Sequence, residues 1–213
     1  MENLREWHKE RMMERTVKAL LSNYFDAHFF TDRTSLLESI MYHVYPGMTI
    51  GIGGSLSIRG IGLLENLAQI DVEVLDHWKQ GLTKEDIDVI RLAQLTCDLF
   101  LSSANAITEK GDIVNIDGSG NRVNAMTFGP KKVIIIAGYN KITPDISSAL
   151  DRIKRIAAPL NAKRVNMPLP CAETGYCHDC KVEARICRIT SIIQRRPIGT
   201  NISVYLINEE LGL

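Results

Sequence analysis

The segment KVIIIAG, residues 132–138, is apolar on consecutive positions. A strand with one face in water alternates apolar and polar residues, so an unbroken run of branched aliphatics reads as a central strand buried on both faces. Such a strand needs a covering layer on each side of its sheet, and the rest of the chain offers it. MTIGI, VEVLD, DLFLSS, IVNI and ISVYLIN read as further strands, with a short one around Ala27 to Phe30. Between them, apolar residues recur at helical spacing. Leu4, Trp7, Val17, Leu20 and Leu21 mark an opening amphipathic helix; Leu36, Leu37, Ile40, Met41 and Val44 mark a second, capped by Asp32 or Thr34 and stopped at Pro46-Gly47. Ile61, Leu64 and Leu67 lie on a third, and the capping box from Thr83 to Asp86 opens a fourth. A fifth is expected to start with Thr143 as cap and Pro144 at the first helical position, to run to about Ile156 and to close at Pro159. Strands alternating with helices predict a three-layer α/β domain around a mostly parallel sheet. No linker, repeat or low-complexity tract divides the chain. Residues 1–213 therefore read as one domain, with an N-terminal helical region over 1–45 and a cysteine-rich segment over 171–187.

The 25 basic residues equal the 25 acidic ones, so no net field draws the chain to nucleic acid or anionic lipid. The N-terminus MENLREWHKERMMERTVKALL is charged throughout and lacks the apolar core of a signal peptide, and VIIIAG is too short to cross a bilayer. These features predict a cytoplasmic protein with neither nucleic acid nor membrane as partner. In that reducing compartment a close cysteine cluster binds metal or does redox chemistry more readily than it forms a disulfide framework.

Gly51, Gly53, Gly54 and Ser55 stand where the MTIGI strand turns into a helix. Glycines there let backbone N–H groups approach an anion, which a helix N-terminus also favours. Ligands in open α/β sheets gather at the carboxyl ends of strands, so phosphate or carboxylate binding is the expectation. A tight turn without a ligand is the alternative. The loop lacks the Lys-Ser/Thr ending of a P-loop, and Leu56 stands where a dinucleotide fingerprint has its third glycine. Asp76, ending the next strand, keeps a nucleotide reading open as a ribose-binding acid.

The stretch SSANAITEKGDIVNIDGSGNRVNAM follows a strand end and is dense in small and amide residues. Asn105, Thr108 and Glu109 are placed to share the ligand edge with the glycine loop. Asn115, Asp117, Asn121 and Arg122 are candidate ligand contacts, Arg122 being suited to a carboxylate or phosphate. The competing reading is a hairpin, with two alternating runs joined by a turn at Asp117, Gly118 and Gly120.

Cys171, Cys177, Cys180 and Cys187 are four of the chain's five cysteines and follow the pattern C-x5-C-x2-C-x6-C. The central C-x2-C lets two thiolates meet one metal across a tight turn, and the outer two can complete sulfur ligation of Zn²⁺ or a [4Fe–4S] cluster. The spacing matches neither the two-cluster ferredoxin run nor a zinc ribbon with paired C-x2-C halves. His178 is placed to replace a cysteine or to bond a sulfur. A redox C-x-x-C pair acting alone and a set of packed thiols are the alternatives, and Cys97 reads as a packed thiol.

Taken in order, GIGGSLSIRGIGLLENL, FLSSANAITEKGDIVNIDGSGNRV, FGPKKVIIIAGYNKI, IKRIAAPLNAKR, the cysteine segment and LINEELG resemble the bacterial lactate-utilisation (LUD) domain family from about Met48 onward. The resemblance is closer to its single-domain members with a cysteine-bearing C-terminal segment. It implies a fold similar to the ribose-5-phosphate isomerase, glucosamine-6-phosphate deaminase and CoA-transferase superfamily, with a glycine loop at the ligand site. It also implies a part in oxidising L-lactate to pyruvate, or in related organic-acid utilisation, beside iron–sulfur and oxidoreductase partners. Carried over by position, the glycine-loop motif falls on Gly51, Gly53, Gly54, Ser55 and Ser57. The second motif falls on Asn105, Ala106, Thr108, Gly111, Asn115, Asp117, Gly118, Asn121 and Arg122, and the sulfur ligands on the four clustered cysteines. Where the family's loop continues with Thr and then an Arg-Glu pair, this chain has Ser57 and then Arg59-Gly60. The hydroxyl is kept and the acid is lost, so Glu65 or Glu109 would have to replace it.

The expectation is a component of an organic-acid oxidoreductase system. Its glycine loop takes a small anionic ligand of carboxylate, phosphate or CoA type, with Ser55, Asn105 and Arg122 orienting it and Glu109 and Arg122 as catalytic candidates. Its cysteines hold a [4Fe–4S] cluster or Zn²⁺. An electron-transfer protein is the expected partner, and the N-terminal helix is the candidate contact of a homo-oligomer. The alternatives are a non-redox ligand-binding or regulatory module with structural zinc, and a phosphosugar isomerase or CoA-transferase-like enzyme, against which Gly60 counts.

Overall fold

The computed structural model describes residues 2–213. Helix α1 (Glu2–Ser22) leads into strand β1 (Asp26–Phe30), helix α2 (Arg33–Met41) and strand β2 (Thr49–Ile52). Two short helices follow, α3 (Leu56–Gly60) and α4 (Leu63–Leu67), then β3 (Glu73–Asp76), α5 (Lys84–Ala93), β4 (Leu99–Ser102) and β5 (Ala106–Thr108). Next come β6 (Ile113–Asp117), α6 (Asn121–Thr127), β7 (Lys132–Gly138) and β8 (Ile142–Thr143). The chain ends through α7 (Ile146–Arg152), α8 (Ala158–Arg164), α9 (Pro170–Thr174), β9 (Ile189–Ile193) and β10 (Ile202–Ile207).

Six strands form one sheet in the order β1-β10-β7-β4-β2-β3, and every neighbouring pair is parallel. β7 lies inside it and serves two cores. Val133, Ile135 and Ala137 enter the core closed by Met13 and Leu20 of α1 and by Ala125 and Met126 of α6. Ile134 and Ile136 enter the other, closed by Leu36 and Ile40 of α2 and by Ile58, Leu63 and Leu67 from α3 and α4. This is the three-layer α/β architecture that the apolar run demands. On α1 the buried stripe is Met13, Thr16 and Leu20, whereas Leu4, Trp7 and Leu21 stay exposed, so its contact with the sheet begins later than the periodicity implies.

A second sheet, ordered β8-β5-β6-β9, adds antiparallel pairs β5–β6 and β6–β9 and a parallel pair β5–β8. Ile107, Ile113 and Ile193 join it to the α1 core. Its other face, Ala106 and Val114, is covered by Ala149, Ile153 and Ala157. β5 and β8 are too short to show alternation, and β9 is largely exposed, so periodicity does not reveal this sheet.

Three local expectations change. The run after Gly120 is helix α6 and not the return strand of a hairpin, because β6 finds its antiparallel partner in β9. Asp145 caps α7, accepting from Ser148 N at 2.8 Å, because Thr143 is held in β8 opposite Thr108. Pro159 does not close that helix. A π-helical turn over Ile153–Ala157 resets the hydrogen bonding, and Pro159 falls in the first turn of α8, where a missing N–H costs little.

Because Ile135 is fully buried on β7, Ile135→Ala should lower stability by roughly 2–5 kcal/mol. Val89→Ala, on an exposed position of α5, should change it by less than about 0.5 kcal/mol. Urea transitions of both variants check the contrast.

Candidate functional site at the carboxyl edge of the sheet

All connections in the main sheet are parallel, so the segments leaving its strands emerge at one edge. Gly53, Gly54 and Ser55 follow β2, His77 and Trp78 follow β3, Ser103 to Asn105 follow β4, and Lys141 follows β7. They line one cavity of about 320 Å³, whose wall is completed by Asp117, Asn121 and Arg122, by Asn161 and Arg164 of α8, and by Cys187.

The glycines serve the sheet first. A Cβ on Gly51 would sit 2.9 Å from the Phe100 ring, and one on Gly53 would sit 2.7 Å from Ser102 Oγ, so β2 and the loop after it meet β4 closely only without side chains there. The Gly53 and Gly54 amides donate to Leu101 O and Ile52 O, at 2.9 Å each. They are therefore not the anion-cradling donors that the motif predicts. Ser55 caps α3 by accepting from Ile58 N at 3.3 Å. Of the predicted loop residues, Gly53, Gly54, Ser55 and Ser57 face the cavity, while Gly51 stays beneath it in β2.

The second motif is a hydrogen-bonded knot around Arg122. A guanidinium has five N–H donors. Nη1 donates to Ser103 O at 3.1 Å and Asn115 Oδ1 at 2.8 Å, and Nη2 to Asn105 Oδ1 at 3.2 Å and Ile116 O at 3.0 Å. Nε lies 3.4 Å from Asp117 Oδ2. Asn105 N donates to Asn115 Oδ1 at 3.1 Å, and Ile116 N to Asn105 Oδ1 at 2.9 Å, which closes the knot. Burial pulls the Arg122 pKa down while Asp117 holds it up. Arg122 thus clamps the loop after β4 onto β6 and α6, and its donors are committed to protein rather than free to orient a ligand. Asn115 is fully buried behind it.

Asn105, Asp117 and Asn121 reach the cavity wall, but Thr108, Glu109 and Glu65 do not. Thr108 Oγ1 donates to Asp112 Oδ2 at 2.7 Å, and Glu109 is ion-paired to Arg15 of α1 at 2.8 Å. Asp76 accepts from Arg59 Nη2 at 2.7 and 2.8 Å, so it is not free to meet a ribose. Trp78 lies between cations, 4.4 Å from the Arg164 guanidinium and 5.0 Å from that of Arg59.

Sequence reading missed Lys141. It is 4% exposed and donates to Ser57 Oγ and Ser103 Oγ, each at 3.0 Å. It has no carboxylate partner among the described residues. Burial, with Arg152 and Arg122 nearby, pushes its pKa down to about 7. The tail after β10 covers it: Gly212 passes at φ +64, where a Cβ would lie 2.6 Å from Ser57 Oγ. The signal in the sequence was a lone lysine just past the carboxyl end of the most apolar strand. His77, also missed, has its pKa lowered by burial.

Cys171 lies in α9, and Cys177, Cys180 and Cys187 follow in the segment before β9; all four are partly buried and none is in a disulfide. Arg185 organises that segment, donating to Cys180 O at 2.8 Å and Cys187 O at 2.6 Å. Asp179, at φ +48, donates its amide to Cys177 Sγ at 3.4 Å. Burial raises the Cys171 and Cys187 pKa values, and the neighbouring thiols add to the rise. The donor chemistry suits Zn²⁺ or an iron–sulfur cluster. The thiols stop short of a common point: among the described residues, no group of three or more His, Cys, Asp and Glu is arranged to hold a metal ion. The His178 ring pairs with Thr174 Oγ1 at 2.7 Å.

Fold and cavity together define a three-layer α/β protein with a ligand-sized pocket at the carboxyl edge of a parallel sheet. The LUD domain profile matches residues 13–207, and the chain belongs to that family, which relates it to lactate utilisation. In structure it is similar to a DUF162 family protein from Deinococcus radiodurans, with a TM-score of 0.54 at 11% identity over 93% of this chain and 98% of that one. A further solved structure, eIF2B beta from Chaetomium thermophilum, aligns with a TM-score of 0.37 at 14% identity over 55% of this chain and 44% of that one. Among curated proteins no relative matches. No described helix is long and apolar enough to cross a membrane.

The Lys141 pKa sets a sign for stability. An unfolded chain holds this proton to about pH 10.5 and the folded chain only to about 7. Between those values the unfolded state binds more protons, so burial of Lys141 costs stability fully below pH 7 and progressively less as pH rises to 10.5. Lys141→Met should remove that slope and gain most on the wild type at the acid end. Urea transitions of both proteins across the window measure it.

Proposed function

We propose that this protein binds a small carboxylate- or phosphate-bearing metabolite of lactate or related organic-acid utilisation in the carboxyl-edge cavity, and that Cys171, Cys177, Cys180 and Cys187 hold a [4Fe–4S] cluster or Zn²⁺ beside it. The observation that carries this reading is the charge of the cavity wall. Arg91 and Arg164 face it together with Arg122, and Asp117, which offsets Arg122, is the one acidic side chain in the wall among the described residues. Such a wall attracts an anion and discourages a cation. Cys187 belongs to the same wall, so the cysteine segment borders the cavity.

In this reading Arg164 attracts and orients the anion, Trp78 supplies an apolar side, and Arg122 keeps the loop after β4 in shape. A bound cluster would supply one-electron transfer to a partner protein, making the chain a component of an oxidoreductase system. A phosphosugar isomerase or CoA-transferase reading lacks its acid, since Glu65 and Glu109 lie outside the cavity and Gly60 stands in the family's acidic position.

Anaerobic purification followed by iron, acid-labile sulfide and zinc analysis tests the cysteines. Iron and sulfide in near-equal amounts, with visible absorption bleached by dithionite, is the expected result. Stoichiometric zinc would favour the non-redox module, and absence of metal would overturn this part of the reading. Arg164→Met should weaken L-lactate or pyruvate binding about tenfold or more in calorimetry, the loss of one charge-assisted hydrogen bond.

A further inference from the structure

We propose that Lys141 is a nucleophile that condenses with the carbonyl carbon of a 2-oxo acid held in the carboxyl-edge cavity. The proposal rests on the reading of that cavity as a site for small organic anions, and adds the reacting residue and the bond it makes. A 2-oxo acid is what oxidation of a 2-hydroxy acid such as lactate yields, so the substrate class agrees with the family.

Hydrogen-bond direction around Nζ leaves the amine a free lone pair. Ser57 Oγ donates its proton to Leu211 O at 3.3 Å, and Ser103 Oγ donates its own to Ala104 O at 3.3 Å. Each hydroxyl therefore has only lone pairs to offer Lys141, and Nζ donates to both at 3.0 Å. A neutral amine carries two N–H bonds and one lone pair. With both N–H bonds committed to the serines, the lone pair takes the remaining direction, and Lys141 is part of the cavity wall. A structural lysine is normally held by a carboxylate that keeps it charged; here no acid pairs with it among the described residues, and Arg122 and Arg152 stand nearby instead. Burial and these two cations bring the amine to about half deprotonation near pH 7. Desolvation beside another cation is a recognised way to activate a lysine toward carbonyl substrates. Arg164 is placed in the same wall to take the carboxylate.

The step balances without a co-reactant. Nζ attacks the 2-carbonyl carbon, forming a C–N bond while the C=O π pair moves to oxygen. Proton transfer from nitrogen to that oxygen gives a carbinolamine, and loss of the oxygen as water leaves an imine. Nothing is oxidised or reduced.

The full chain is incubated with pyruvate and sodium borohydride, which reduces an imine to a stable secondary amine, then digested and mapped by mass spectrometry. The expected result is an N-(1-carboxyethyl) group on Lys141 that requires both reagents, rises in yield as pH passes through about 7, and is absent from Lys141→Arg. Ser57→Ala combined with Ser103→Ala should cut the yield about tenfold, since each lost hydrogen bond frees the amine from its orientation. Pyruvate binding is measured in parallel by calorimetry. Binding without an adduct on Lys141 overturns the nucleophile and leaves the cavity reading standing; neither binding nor adduct overturns both. Adducts spread evenly over surface lysines also overturn it. Should Lys141→Arg fail to fold, the site-resolved map of the wild type decides alone.

Discussion

Strand β7 presents side chains to two cores at once, Val133, Ile135 and Ala137 to one and Ile134 and Ile136 to the other. None of its faces meets water, so α1 and α6 must cover one side and α2, α3 and α4 the other. Parallel neighbours then follow, because helical crossovers return each strand in the same direction. The consequence is geometric. Every segment that leaves a strand of this sheet does so at the same edge, and a cavity forms where the loops after β2, β3, β4 and β7 converge.

Two buried cations at that edge are handled in opposite ways. A buried charge is costly unless its hydrogen-bonding capacity is met. Arg122 meets most of it: two asparagine oxygens and two backbone carbonyls take four of its five N–H bonds, and Asp117 stands 3.4 Å from the fifth. The result is a rigid wall. Lys141 receives only two serine hydroxyls, and its charge is compensated by the loss of a proton rather than by an acid. The first arrangement builds the pocket and the second leaves it a reactive group.

The cysteine segment depends on the same scaffold. β9, which follows it, pairs with β6, so Ile186 and Cys187 are brought against the turn after β6 and into the cavity wall. A Cβ on Gly118 would lie 3.0 Å from Ile186 O, which explains why the turn is glycine-rich even though it makes no hairpin.

The main sheet was legible because burial on both faces leaves a local mark: KVIIIAG, DLFLS and ISVYLI are apolar at consecutive positions whatever packs on them. Caps that act within one turn, such as Asp32 and the Thr83–Asp86 box, were legible for the same reason. The motif residues around Asn105, Asn115, Asp117 and Arg122 could be recognised as a set but not assigned their task. Whether an arginine meets a ligand or its own backbone depends on what lies across the fold. Lys141 was invisible as a site because its isolation from carboxylates, its two serine partners and the Gly212 tail above it come from segments up to 84 residues away. Local chemistry is written in the chain. Desolvation and the direction of a lone pair exist only once distant segments have closed around the atom that carries them.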